Sequence, residues 1–174
     1  EYSLRDPVSN RVLYSGKDLT RRKLSYENQQ WIMKPPLKDF SLPAGTIEIT
    51  PQTGSYFGLH QFRYRGTLRL TTGFDGRPFL INMVPLEQYV ASITDGEMPL
   101  AFGREARCAQ AVIARSYVLY QREQSVGNRI PYDVQSDTRS QNYVGWQYRG
   151  KNGEWYAGET AAGRDCASAT RGLV

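Results

Sequence analysis

The sequence predicts an α+β domain: an antiparallel, partly barrel-like sheet packed beside two principal helices, over about residues 85–95 and 104–124. Two observations predict it. Up to Val84, apolar residues recur at every second position between turn residues, as they do in half-exposed strands. At Pro85 the spacing becomes helical, and a long helical stretch follows to about Gln124. Composition agrees. The 174 residues are 40% hydrophobic and 22% charged, which suits one folded domain rather than a disordered chain. No run of about 18 apolar residues offers a membrane-spanning helix, and no repeat of fixed period points to a solenoid.

Each element has its reason. Residues 1–45 are polar and turn-rich and close on Pro35-Pro36 and Pro43, with short strands at Arg11–Tyr14 and Gln30–Met33. Residues 1–60 form an unassigned strand and loop region belonging to the same domain as 61–174. Thr46–Thr50 is a strand in which Ile47 and Ile49 alternate with Glu48. In Gln61–Leu70, Phe62, Tyr64, Leu68 and Leu70 alternate with Arg63, Arg65 and Arg69, and Gly66 marks a bulge. Gly73-Phe74-Asp75-Gly76 turns the chain, and Pro78–Val84 returns as the second strand of a hairpin.

Pro85 suits the first helical position. Leu86, Tyr89, Val90 and Ile93 then fall at i, i+3, i+4 and i+7 on one face, and Gly96 ends this helix. Glu97-Met98-Pro99 enters the connection. In the second helix Ala106, Ala109, Ala111 and Ala114 allow close approach, while Val112, Ile113 and Leu119 add apolar bulk. Residues 125–156 read as loop and short strand. A short helix near Arg164–Thr170 leads to Leu173-Val174, the expected start of a strand.

The net charge of +5 is spread along the chain, and its densest run is only Arg21-Arg22-Lys23. A nucleic-acid module concentrates its charge in one stripe, so no nucleic acid is expected as partner. Cys108 and Cys166 lie in no CxxC motif, and His60 is the only histidine. A structural zinc site needs about four Cys or His ligands, so no metal is expected. One disulfide in an oxidising compartment and two buried free thiols both remain open. As a bond, the pair would contribute on the order of 4 kcal/mol in the chain-entropy model. The chain begins at Glu1 without methionine or signal segment. It reads as a processed piece whose export information lies elsewhere.

Three features carry chemistry. Glu97 sits at a junction of two helices, where apolar neighbours would raise a carboxyl pKa by desolvation and Asp95 would add like-charge repulsion. Such a carboxyl can act as a general acid on a glycosidic oxygen; the competing reading is a solvated loop glutamate. Arg115 lies inside an alanine-rich helix, either to bind an anion or pair with Glu97, or as a cation snorkelling from the core edge. Tyr132, Tyr143, Trp146, Tyr148, Trp155 and Tyr156 supply faces for sugar rings, or ordinary packing.

At the level of motifs, Val84-Pro-Leu-Glu-Gln-Tyr-Val90, Gly96-Glu-Met-Pro99 and Glu105-Ala-Arg-Cys-Ala-Gln-Ala-Val-Ile-Ala-Arg-Ser-Tyr117 together resemble the SpoIID/LytB family. So do Tyr132-Asp-Val-Gln-Ser-Asp-Thr-Arg-Ser-Gln-Asn-Tyr-Val-Gly145 and Ala167-Ser-Ala-Thr-Arg-Gly-Leu-Val174, in the family's order and spacing. The resemblance covers about Arg63 to Val174. It implies work on the bacterial cell wall, and hence an extracytoplasmic location: lytic cleavage of peptidoglycan glycan strands, or activation of a wall amidase. Glu97 matches the family's catalytic acid. Arg115, Ser136, Thr138, Gln141 and Tyr143 match positions of its motifs and are read as substrate-cleft candidates. No cofactor is implied. Some relatives bind zinc in the third motif, but here Gln135, Arg139 and Ser140 stand in that stretch. Cys108 replaces the family's lysine, Arg107 its leucine, and Phe102-Gly103 its WP. The family domain continues beyond the last motif, so a missing C-terminal segment or a second polypeptide is expected to complete it beside Val174. Three functions follow in order of preference: a lytic transglycosylase, a non-catalytic wall-binding or amidase-activating module, and a purely structural envelope domain.

Overall fold

The computed structural model describes residues 1–16, 23–34, 40–41 and 45–174. Arg21-Arg22 and the prolines at 35, 36 and 43 lie outside the described residues. The elements are β1 (Tyr2–Arg5), β2 (Val12–Gly16), β3 (Lys23–Glu27), β4 (Gln30–Lys34), β5 (Phe40–Ser41), β6 (Ile47–Pro51), β7 (Phe57–Leu59), β8 (Phe62–Tyr64), β9 (Thr67–Thr72), β10 (Pro78–Met83), α1 (Leu86–Glu97), α2 (Arg104–Gly127), β11 (Gln147–Arg149), β12 (Trp155–Ala157) and α3 (Ala161–Ala169). The α+β class stands. The antiparallel sheets are open, and none closes into a barrel among the described residues. Two compact units form: Glu1–Tyr56 with Gly66–Met83, and Phe57–Arg65 with Val84–Val174.

In the first unit a five-stranded sheet has the order β10-β9-β6-β1-β2. Register explains its core. Leu4 pairs with Ile49, Ile49 with Leu68, and Ile47 with Leu70, and all five are buried. Burying side chains of this size is worth roughly 1.5–3 kcal/mol each. The alternate positions carry Glu48 opposite Arg69, joined at 2.7 Å. The hairpin at Gly73–Gly76 joins β9 to β10 as expected. A second sheet, β3-β4-β5, buries Trp31 and Met33.

The second unit sets the sheet β12-β11-β8-β7 and three helices around Tyr64, Tyr89, Val90, Ile93, Ala111, Ala114, Val118 and Tyr143. Of the four alanines expected to pack closely on α2, Ala111 and Ala114 are buried, whereas Ala106, Ala109 and also Ile113 are exposed. Ile113 stands one position off the stripe, and each helical residue turns by about 100°.

Three expectations change. Gly66 is not a bulge in one strand: with φ at +88° it separates β8 from β9, which join different sheets. Gly96 does not end α1, which runs on through Glu97. A Cβ at Gly96 would collide with the carbonyl oxygen of Asn142, so this glycine serves a close approach rather than a stop. Leu173-Val174 form no strand; Leu173 closes a turn onto the Thr170 carbonyl at 3.0 Å.

Candidate functional site

Glu97 is the last residue of α1, a place where helix carbonyls lack intrahelical partners. The loop between α2 and β11 supplies one of them. The Asn142 side-chain amide donates to the Gly96 carbonyl at 3.1 Å, and the Asn142 backbone N–H donates to Glu97 Oε1 at 2.6 Å. The absent side chain at Gly96 lets the loop lie this close. Glu97 is exposed, and its Oε2 has no hydrogen-bond partner among the described residues. One oxygen is therefore oriented and the other faces solvent.

Glu97 is exposed rather than buried, and Asp95 is not its neighbour in function. Two helical steps rotate Asp95 to another face. There it is buried, ion-paired with Arg107, and accepts from Thr160 N at 2.5 Å and Thr160 Oγ1 at 2.9 Å. Thr160 is also the N-cap of α3, accepting from Gly163 N at 3.1 Å. Asp95 thus fastens the end of α1 to the start of α3.

Two turns before Glu97, the Tyr89 hydroxyl donates to Gln141 Oε1 at 2.9 Å. The Tyr89 ring lies 5.2 Å from Tyr143, which lies 5.8 Å from Tyr64, which lies 5.6 Å from Phe57. Burial pushes the Tyr64 phenol up to about 12 and the Tyr89 and Tyr143 phenols further above their usual range. The charges of Tyr117, Glu97 and Asp133 add to the shift at Tyr89. The phenol of Tyr89 stays protonated at neutral pH and so remains a donor to Gln141.

The other sequence-matched residues divide. Gln141 and Tyr143 are buried and seat the loop that holds Glu97. Ser136 and Thr138 are exposed on the same loop. Where some relatives carry zinc ligands, Gln135 N donates to Ser140 Oγ at 3.2 Å, and Arg139 pairs with Asp137 at 2.6 Å.

Arg115 does not lie beside Glu97. It is 1% exposed and grips Glu87, at the other end of α1, with two bonds of 3.1 and 2.7 Å. It also donates to the carbonyls of Ala167 and Leu173, each at 3.0 Å. A fork with several fixed donors suits this joint. Its donors are spent on the protein, and the role of a cleft residue is corrected to that of a clamp on three helices.

The aromatic segment also divides. Tyr143 is core, Tyr148 and Tyr156 stack across β11 and β12 at 5.6 Å, and Arg63 covers Trp155 at 3.7 Å. Sequence reasoning missed Asn142 and the buried Glu159, whose carboxylate pairs with Arg65. Burial pushes the Glu159 carboxyl above its ordinary value, and outweighs the opposing pull of Arg65.

Residues 75–174 match the family model described as SpoIID, stage II sporulation protein. An uncharacterized protein of Brachyspira hyodysenteriae (strain ATCC 49526 / WA1) is 32% identical over 97 residues, 56% of this chain and 26% of that protein. The chain thus spans about a quarter of that relative's length. No solved structure matches the chain.

Proposed function

The chain belongs to the SpoIID family of stage II sporulation proteins, whose members work on the cell wall, and from that premise we propose that it is a peptidoglycan lytic transglycosylase. The observation that carries the reading is Glu97: an exposed carboxylate at the end of α1, with Oε1 fixed by the Asn142 amide and Oε2 open. The substrate is the bond between N-acetylmuramic acid and N-acetylglucosamine. Glu97 protonates the bridging oxygen. The same group, now a carboxylate, takes the proton of the muramic C6 hydroxyl as that oxygen closes on C1. The product is a 1,6-anhydro end. The nucleophile is internal, so one carboxylate suffices where ordinary glycosidases use two.

Glu97 is exposed in the structure. The glycan strand covers it on binding and excludes water, which is the condition for proton donation. Ser136 and Thr138 are the exposed hydroxyls offered to the strand, while Gln141 and Tyr143 position the loop. The site of action is extracytoplasmic, where the glycan is.

A second reading is a wall-binding module that activates an amidase, and the exposure of Glu97 is what favours it. Digestion of purified peptidoglycan, with mass spectrometry of the products, separates the two. The wild type releases 1,6-anhydro ends and Glu97→Gln releases none while staying folded, because an amide keeps the shape without a proton to give. Anhydro ends from the Gln variant would remove Glu97 from the reaction. Intact strands retained by wild-type protein would support the second reading.

A further inference from the structure

Cys108 is in the second turn of α2 and Cys166 is in α3, 58 positions apart in sequence. Helix packing brings their sulfur atoms to 2.7 Å, with both thiols free. The Cys108 thiol donates to Cys166 Sγ, and the Cys166 thiol donates to the Arg104 carbonyl at 3.7 Å. Cys108 is half-buried, whereas Cys166 is 1% exposed. An outside reagent therefore reaches Cys108 first. Among the described residues no cluster of three or more His, Cys, Asp or Glu side chains makes a metal site of the pair.

We propose that Cys108 and Cys166 are a disulfide-forming pair that staples the start of α2 to α3 and so braces the frame carrying Glu97. The oxidant is a disulfide, either a small molecule or a protein. The Cys108 thiolate attacks one of its sulfurs, forming a mixed disulfide and expelling one thiolate. Cys166 then gives up its proton and attacks Cys108 Sγ, which closes the internal bond and expels the second thiolate. Two protein thiols are oxidised and one external disulfide is reduced to two thiols. Burial and the neighbouring Cys108 push the Cys166 thiol up to about 11, so the closing step quickens as pH rises.

The bracing follows from what the two helices hold. Residues 98–103 link Glu97 to α2. On one side of that link, Asp95 joins α1 to Arg107 and to Thr160. On the other, Arg104 pairs with Asp165 at 2.9 Å, next to the thiols. That pair is exposed and worth little alone. A covalent bond at the next turn fixes both flanks of the link.

The test uses the whole chain, reduced and then incubated with glutathione disulfide, followed by alkylation and peptide mapping. The wild type should lose both alkylatable thiols together and yield one linked peptide pair containing Cys108 and Cys166. Cys166→Ser should stop at glutathione on Cys108, and Cys108→Ser should leave Cys166 unmodified. The linked form should melt roughly 8–16 °C above the reduced form. Its 98–103 segment should resist proteolysis longer. Glutathione accumulating on wild-type Cys108 without closure, or two thiols surviving oxidation, overturns the pair. A link that raises neither melting temperature nor protection overturns the bracing. Glu97→Gln should link as the wild type does, so a failed glycan digestion and a failed crosslink are told apart.

Discussion

Asp95 and Glu97 are two residues apart on α1, and the helix turn sends one carboxylate inward and the other to the surface. Arg115 shows the same sorting by surroundings. It is buried with a carboxylate, two carbonyls and the Thr170 hydroxyl around it. Arg115→Ala should therefore destabilise the protein by about 3–5 kcal/mol, the cost of breaking a buried pair. Urea denaturation measures it. Any loss of glycan cleavage should track the unfolded fraction, which separates a clamp from a substrate-binding residue. Glu97→Gln, by contrast, should stay within about 0.5 kcal/mol of the wild type, as exposed substitutions do. Glu97 was legible through the motif that contains it; its surroundings were not. Its holder, Asn142, acts through a backbone N–H that every residue but proline has, so no side-chain pattern announces it. Arg115 was legible as unusual, because a long cation among alanines needs a reason. The partner it found, Glu87, lies nearly three turns from the expected one along α1.

At the scale of elements, glycine was the ambiguous letter. Gly96 and Gly66 were read as a helix stop and a bulge. One is a point of contact inside a helix and the other a break between sheets. The same absence of a side chain serves all four uses, and only the tertiary neighbours decide among them. Gly96→Ala tests the contact. Alanine is the better helix former, so α1 alone would gain. The collision with Asn142 should instead cost about 1–3 kcal/mol, as overpacking does. It should also lower glycan cleavage more than it lowers stability, since the displaced residue, Asn142, is the one whose backbone N–H orients Glu97. Denaturation and digestion of the same sample give the two numbers. The principal helices and the hairpin β9–β10 were legible because their periods run over many residues. β1, β3, β5 and β7 were not, and length does not explain it, since β2, β4 and β6 have five residues each and were legible.

For the whole molecule, Glu159 writes itself into the pH dependence of stability. Its folded-state carboxyl binds a proton more readily than the unfolded one, because burial disfavours the charge. Its contribution is then complete below the ordinary value of 4.5 and is lost as pH rises through the folded value. The stability of the wild type relative to Glu159→Gln should fall as pH rises above about 4.5, as measured by denaturation at each pH. The opposite slope would mean that Arg65 outweighs burial. The path of the chain has a consequence of another kind. It enters the second unit at Phe57, leaves after Arg65 and returns at Val84. The strands carried by that excursion, β7 and β8, are half of a four-stranded sheet. A gene fragment beginning at Val84 would encode the helices and Glu97 but leave β11 without its neighbour, exposing a bare strand edge. A single crossover between genes cannot exchange one unit whole. Exchanging the second unit whole would take separate breakpoints around Phe57–Arg65 and before Val84.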